Sequence, residues 1–278
     1  MPELPEVETM RRGILPIVGR RIATVACEPC SRRPILLSPE IALFRRRVRN
    51  RMVAAVDRLG KRVVVRIETG DAIIFEPRMT GLVLVADPPS VEHLRFRMDF
   101  ADGPLRHVWY WDRRGLGSVR LLSAAEITEQ LGGKTLGPDA LAVTAEELRS
   151  LYASSRRAIK VALLDQKSLA GVGNLYASEI LHRAKVHPAK TCDRITRAQW
   201  QAIHANLVAV LEEAIRHEGS TLSDGTYRNA LNQNGGYQNC HLVYDRANEL
   251  CLTCGRANVQ RIVQAQRSTF FCAVCQRK

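Results

Sequence analysis

The sequence predicts a multi-domain α+β protein: a helix-led β-sandwich or barrel, then a helical domain, then a small metal-held module. Three observations carry this reading. Short apolar runs separated by turns fill the first 130 or so residues, helical patterning takes over from Thr144, and two C-x-x-C pairs close the chain.

The elements follow in order. A helix precedes the strands: Pro5 suits a first helical position, Glu6 and Glu8 favour the positive end of the helix dipole, and Gly13 can stop it. Residues 62–67 (RVVVRI), 72–75 (AIIF), 82–85 (LVLV) and 108–111 (VWYW) read as strands, with turns at 68–71 and 101–103 between them. The arginine-rich stretch 45–51 reads as a solvated strand face. The N-terminal domain is placed at 1–131, followed by a linker at 132–143 marked by Gly132, Gly133, Gly137 and Pro138. A helical domain follows at 144–239. Thr144 and Glu147 match a capping box, and 161–167, 175–184 and 197–217 are patterned as helices. Residues 219–239, rich in Gly, Asn and Ser, read as loop, and 240–278 forms the cysteine module.

The net charge of +13 favours a polyanionic partner through phosphate neutralisation and counterion release. Hydrophobic content of 46% supports packed cores, and no apolar run approaches the roughly 18 residues of a membrane helix. The acidic, proline-rich start MPELPEVE is unlike a signal peptide, so a cytoplasmic location is expected, with no membrane partner.

Of the eight cysteines, Cys251/Cys254 and Cys272/Cys275 form two C-x-x-C pairs seventeen residues apart. Two such pairs fit a tetrahedral zinc site on two knuckles, with residues 259–271 as the connecting hairpin. Four thiolates leave no open position, so one structural zinc is expected, and so short a module needs it to fold. Arg261, Arg267, Arg277 and Lys278 make the module basic. Cys27 and Cys30 form a third C-x-x-C with no second pair and read as incidental.

Residues 168–176 (SLAGVGNLY) interrupt a helical pattern with two glycines. Successive amides before a helix start can make an anion-binding nest, with Asn174 as cap or phosphate ligand and Lys160 as a nearby point charge.

The start MPELPEVET, the segment 171–179 (GVGNLYASE) and the segment 266–272 (QRSTFFC) together resemble the formamidopyrimidine-DNA glycosylase family, in order along nearly the whole chain. The resemblance implies an N-terminal β-sandwich, a helix–two-turns–helix domain with a zinc finger, and a cleft for double-stranded DNA containing oxidised bases or abasic sites. It also implies base flipping, because the reacting carbon lies inside the stack. A monomer associated with the bacterial nucleoid is expected. The implied activity is excision of 8-oxoguanine and formamidopyrimidines in base excision repair, followed by β,δ-elimination at the abasic site.

The resemblance also implies roles for individual residues. Removal of Met1 leaves Pro2 with a free secondary amine that attacks C1′ and forms an iminium. Glu3 protonates the sugar ring oxygen and shuttles protons, with Glu6 supporting, and Lys61 binds a phosphate beside the lesion and assists base departure. Lys160, Asn174 and Arg267 grip phosphates around the flipped nucleotide; Tyr176 and Glu179 share the motif. Met79 fills the space left by the base, and Arg114 addresses the orphaned partner.

The chain departs from the family pattern at several of these places. Residues 76–81 read EPRMTG where the family has HLGMSG, so Glu76 stands for a histidine. A carboxylate there would repel phosphate unless it points elsewhere or Arg78 neutralises it. Residues 112–117 read DRRGLG, with Gly115 before Leu116, and Leu116 replaces an aromatic wedge. Arg95 replaces one of two paired histidines, and the gap between cysteine pairs is one residue longer than usual.

Three other readings compete: an endonuclease VIII-like glycosylase for oxidised pyrimidines, a catalytically silent lesion binder, and a zinc-finger regulator. The last lacks a recognition helix. The silent binder should have lost Pro2, Glu3 or Lys61, and all three are present.

Overall fold

A computed structural model describes residues 2–101, 103–133 and 135–277. Met1, expected to be removed, the turn position Asp102 and the basic Lys278 lie outside the described residues.

The chain divides into two compact units. One comprises the chain through Gly132 together with Ile215–Gln238, and the other comprises Gly133–Ala214 with the chain from Asn239 on. Residues 215–238, grouped by sequence with the helical domain, therefore pack with the N-terminal unit.

The N-terminal unit begins with α1 (Leu4–Gly13), opened by a capping box between Glu3 and Glu6. Then come β1 (Ile22–Ala26), β2 (Leu36–Ser38), α2 (Ile41–Val48), β3 (Val53–Leu59), β4 (Arg62–Ile67), β5 (Ala72–Glu76), β6 (Gly81–Leu84), β7 (Leu94–Phe100), β8 (His107–Asp112), β9 (Ser118–Leu122) and α3 (Ala124–Leu131). One sheet has the order β2-β9-β5-β4-β3, the other β1-β7-β8-β6. Their inner faces share one core, in which Val63, Val65 and Phe75 meet Phe96, Met98 and Tyr110, so the architecture is a sandwich. The continuous apolar run of β4 follows from burial on both faces: Val63 and Val65 point into the sandwich, while Val64 joins Ile74, Leu122 and Leu131 under α3.

The arginine run is not a strand face. Phe44 and Val48, one helical turn apart, bury one side of α2, and Arg45–Arg47 occupy its last turn, where cations complement the helix dipole. Arg47 pairs with Asp71 at 2.9 Å.

The second unit contains α4 (Ala145–Tyr152), α5 (Ile159–Leu163), α6 (Asn174–Arg183), α7 (Arg197–Arg216, whose last two residues belong to the first unit), β10 (Gln260–Gln264) and β11 (Arg267–Phe271). Thr144 and Glu147 form the expected capping box. The predicted helix at 161–167 is only five residues long and ends at Leu163, because Asp165 caps the following turn: its carboxylate accepts from Lys167 N and Ser168 Oγ. Tyr152 stacks on Trp200 at 6.1 Å in this unit's core. Among the described residues no helix is long and apolar enough to cross a membrane.

Candidate functional site

In the N-terminal unit, Pro2, Glu3 and Glu6 are buried at the start of α1. Glu6 reaches both ways along the chain. Its Oε2 accepts from Glu3 N at 2.8 Å, and its Oε1 accepts from Ser220 N at 2.9 Å. One carboxylate thus fixes the chain's first residues to the loop 219–238. Gly219 permits this: its φ is +80°, and an added Cβ would lie 2.9 Å from Glu6 Cγ.

The loop, expected to be irregular, is well pinned. Thr221 Oγ1 donates to Tyr227 O and accepts from Gly235 N, both at 2.9 Å, and Arg113 donates to Thr226 Oγ1 at 2.9 Å. Tyr227 is buried, which pushes its hydroxyl well above the usual tyrosine range.

Lys61 sits half-buried in the two-residue turn between β3 and β4. Gly60 takes φ +58° at the first turn position, as a tight hairpin of this length requires. Behind it, α1 packs on β3 and β4.

Met79 and Arg114 are exposed and Leu116 is half-buried, on two loops that meet through Thr80 and Asp112. Asp112, fully buried, accepts from Thr80 Oγ1, from Arg114 N at 3.1 Å and from Gly117 N at 2.8 Å. Thr80 Oγ1 in turn accepts from Arg114 N at 3.0 Å. Arg95 is buried, not a surface cation. It donates to Asp112 O at 2.8 Å and lies against Cys30 Sγ, bracing the loop from behind. Glu76 meets arginine, as one of the two alternatives required: Arg78 Nε lies 2.9 Å from its carboxylate, and Arg62 and Arg120 approach it too.

In the second unit, Lys160 is fully buried. Its Nζ donates to Asn174 Oδ1 at 2.5 Å, Ser268 O at 2.9 Å and Thr269 Oγ1 at 2.7 Å. These bonds tie α6 to the hairpin, so in this structure the buried ammonium faces protein acceptors where a solvated point charge was expected. Asn174 is not a cap either. Gly173 holds the cap position, and Asn174 Nδ2 donates to Ser268 O at 3.0 Å. This knot sets the start of β11, where Arg267 is exposed. The amide of Gly171, expected in an anion nest, donates to Gln166 Oε1 at 3.0 Å.

Glu179, also fully buried, accepts from Leu242 N (2.9 Å), Val243 N (3.0 Å) and Tyr244 N (2.7 Å). His182 contacts Gln276 Oε1 at 3.0 Å and Thr253 Oγ1 at 2.8 Å. Ser268, Thr269, His182 and Gln276 carried no sequence signal of these roles.

The four cysteine sulfurs all lie within 4.8 Å of one another, with Cys251–Cys275 at 3.9 Å and Cys254–Cys272 at 3.7 Å. A tetrahedron of Zn–S bonds of about 2.3 Å requires sulfur separations of about 3.8 Å. The donor set therefore fits one structural zinc. The Arg256 amide at its sulfur lowers the Cys254 thiol to about 6, whereas burial raises the Cys272 thiol and pushes that of Cys275 up to about 12, so the first thiolate of the set belongs to Cys254.

Three family models match. The formamidopyrimidine-DNA glycosylase N-terminal domain matches residues 1–119, its H2TH domain residues 136–226, and the zinc finger found in these enzymes and in isoleucyl-tRNA synthetase residues 248–277. A formamidopyrimidine-DNA glycosylase of Chloroflexus aggregans is 38% identical over 285 residues, covering 99% of this chain and 98% of that protein. Among solved structures, a Lactococcus lactis variant bound to Fapy-dG-containing DNA is similar with a TM-score of 0.88 and 32% identity, covering all of both chains. The wild-type Lactococcus lactis enzyme bound to oxidised-pyrimidine DNA matches with a TM-score of 0.87 and 31% identity, again over all of both chains. With relatives aligned end to end and both units and the finger matched, the chain belongs to the formamidopyrimidine-DNA glycosylase family.

Proposed function

We propose that this protein is a bifunctional DNA glycosylase/AP lyase of base excision repair that removes 8-oxoguanine and formamidopyrimidines, acting as a monomer on DNA in the bacterial cytoplasm. The observation that carries the reading is the Glu6 bridge. It holds Glu3, next to Pro2, at the head of α1 beside the loop at Ser220, which supports a reading in which nucleophile and acid work next to that loop.

The chemistry needs little else from the chain. An α-amine titrates at about 7.7–8.0, so part of Pro2 is neutral near pH 7 once Met1 is removed. Its lone pair attacks C1′, and the glycosidic electron pair leaves with the base, which takes up a proton. Glu3 protonates the ring oxygen as the sugar opens to the iminium. Elimination then expels the 3′ and 5′ phosphates in turn, and water releases Pro2.

Lys61, at the hairpin tip, supplies a cation for the phosphate beside the lesion. Met79, Arg114 and Leu116 enter the duplex where the base leaves. Arg267 takes a phosphate on the second unit, with Asn174 and Lys160 positioning it. The zinc holds the finger's fold and takes no part in the bond changes.

The test is borohydride trapping on a duplex carrying 8-oxoguanine opposite cytosine, with intact mass confirming loss of Met1. A covalent adduct absent in Pro2→Gly is expected. The similarity to an enzyme crystallised on oxidised-pyrimidine DNA favours a second reading, which trapping on that substrate alone would select. No adduct even on an abasic duplex would leave a lesion binder.

A further inference from the structure

We propose that the cleft framed by Arg62, Arg78 and Arg120 is a seat for a backbone phosphate of DNA, with Arg78 as its chief ligand. This rests on the reading that the protein binds a duplex at the Met79 and Leu116 loops.

The first argument is charge. The cleft, of about 280 Å³, has Glu76 as the one acid among its described lining residues. Arg62 Nε and Arg78 Nε stand 3.3 and 2.9 Å from that carboxylate, and Arg120 Nη2 stands 3.8 Å away. Three guanidiniums share one carboxylate, leaving two positive charges uncompensated in a recess where Arg62 and Arg120 are largely withdrawn from water. Arg120 registers the imbalance: burial, with repulsion from Arg62 and Arg78, lowers its pKa despite Glu76. A bound anion would relieve that repulsion.

The second argument is backbone. Arg78 holds φ +53°, a left-handed conformation that a long side chain adopts at a cost and that glycine adopts freely. The conformation directs Nε onto Glu76 while the side chain remains 62% exposed. The guanidinium fork is thereby oriented by one carboxylate and open to a second anion, and its geometry matches phosphate oxygens.

The third is position. Leu116 lines the same cleft, and Arg78 directly precedes Met79, so a phosphate held here belongs to the strand that those side chains enter. Glu76 then gathers the arginines and moderates their charge; it does not repel the strand.

Arg78→Gly is the decisive variant, because glycine relaxes the backbone and endangers no fold. Binding is measured on an undamaged duplex as a function of salt, which reads the seat independently of any chemistry. Arg78→Gly should weaken binding about tenfold and reduce the slope of log K against log salt by about 0.9. Glu76→Gln should act in the opposite direction and tighten binding at least threefold; a purely structural ion-pair cluster would loosen instead. Inorganic phosphate is titrated in parallel against the arginine Nε resonances. Phosphate binding with duplex affinity unchanged in Arg78→Gly would mean a small-anion site and overturn the proposal, as would no effect in either assay. Borohydride trapping of the wild type separates these outcomes from failure of the glycosylase reading.

Discussion

The Thr80 hydroxyl donates to the fully buried Asp112 carboxylate, and that bond joins the turn bearing Met79 to the loop bearing Arg114 and Leu116. Arg114 N and Gly117 N complete the clasp, so the three residues expected to enter the duplex are set by one carboxylate. Asp112→Asn places an amide N–H against an amide donor and should cost about 2–3 kcal/mol. Thr80→Val should cost about 1 kcal/mol, and the double variant less than the sum. Urea melts test this. Base excision should fall further than cleavage of a preformed abasic site, since only excision needs the loops in the stack.

Lys160→Met should destabilise the second unit by about 3 kcal/mol, because Asn174 Oδ1, Ser268 O and Thr269 Oγ1 lose a shared buried donor. Thermal melts measure the loss. Duplex affinity should fall with it through Arg267, and Arg267→Ala should weaken binding with no change in melting.

Chelating the zinc should unfold the finger alone. Its apolar cluster is small, centred on Val243, Val259 and Phe270, and metal ligation supplies its folding energy. Near-ultraviolet circular dichroism should lose the Tyr244–Phe270 contact, while the sandwich melts as before. Glu179→Gln, which weakens three backbone bonds to the finger's entry, should speed zinc release about tenfold in a colorimetric chelator assay.

Glu8 predicts an acid sensitivity. Burial pushes its carboxyl up, but hydrogen bonds from Arg11 and Arg12 and the charges of Arg11 and Arg58 outweigh burial and leave it below the usual range. The folded state therefore holds this proton more weakly than the unfolded chain. The stabilisation is present above the unfolded value of about 4.3 and is lost as pH falls through the lower folded one. Glu8→Gln should be about 2 kcal/mol less stable at neutral pH and show a flatter loss of stability below about pH 5. Melts across that range decide it.

Much of the site is legible from residue order because its signals are local. Pro5 with Glu6 and Glu8 writes the start of α1, Thr144 with Glu147 the start of α4, and the spacing of four cysteines the metal site. α2 was also within reach, since Phe44 and Val48 stand one turn apart, but the arginines between them obscured the stripe. The burial of Lys160 is not legible, because a lysine before a glycine turn looks solvated until its acceptors on β11, more than a hundred residues away, are placed.

The sequence by itself determined the family, the succession of sandwich, helical domain and finger, and the zinc ligands, and it nominated Pro2, Glu3 and Lys61 as the reacting groups. These depend on residue type and short spacing, which backbone periodicity and metal geometry translate directly. Only the tertiary structure decided that residues 215–238 return to the N-terminal unit, that Glu6 joins α1 to Ser220, and that Glu76 meets three arginines from separate segments. Such pairings span long stretches of chain. They form because buried polar groups must find partners, and which partners are near is fixed by how the sheets close.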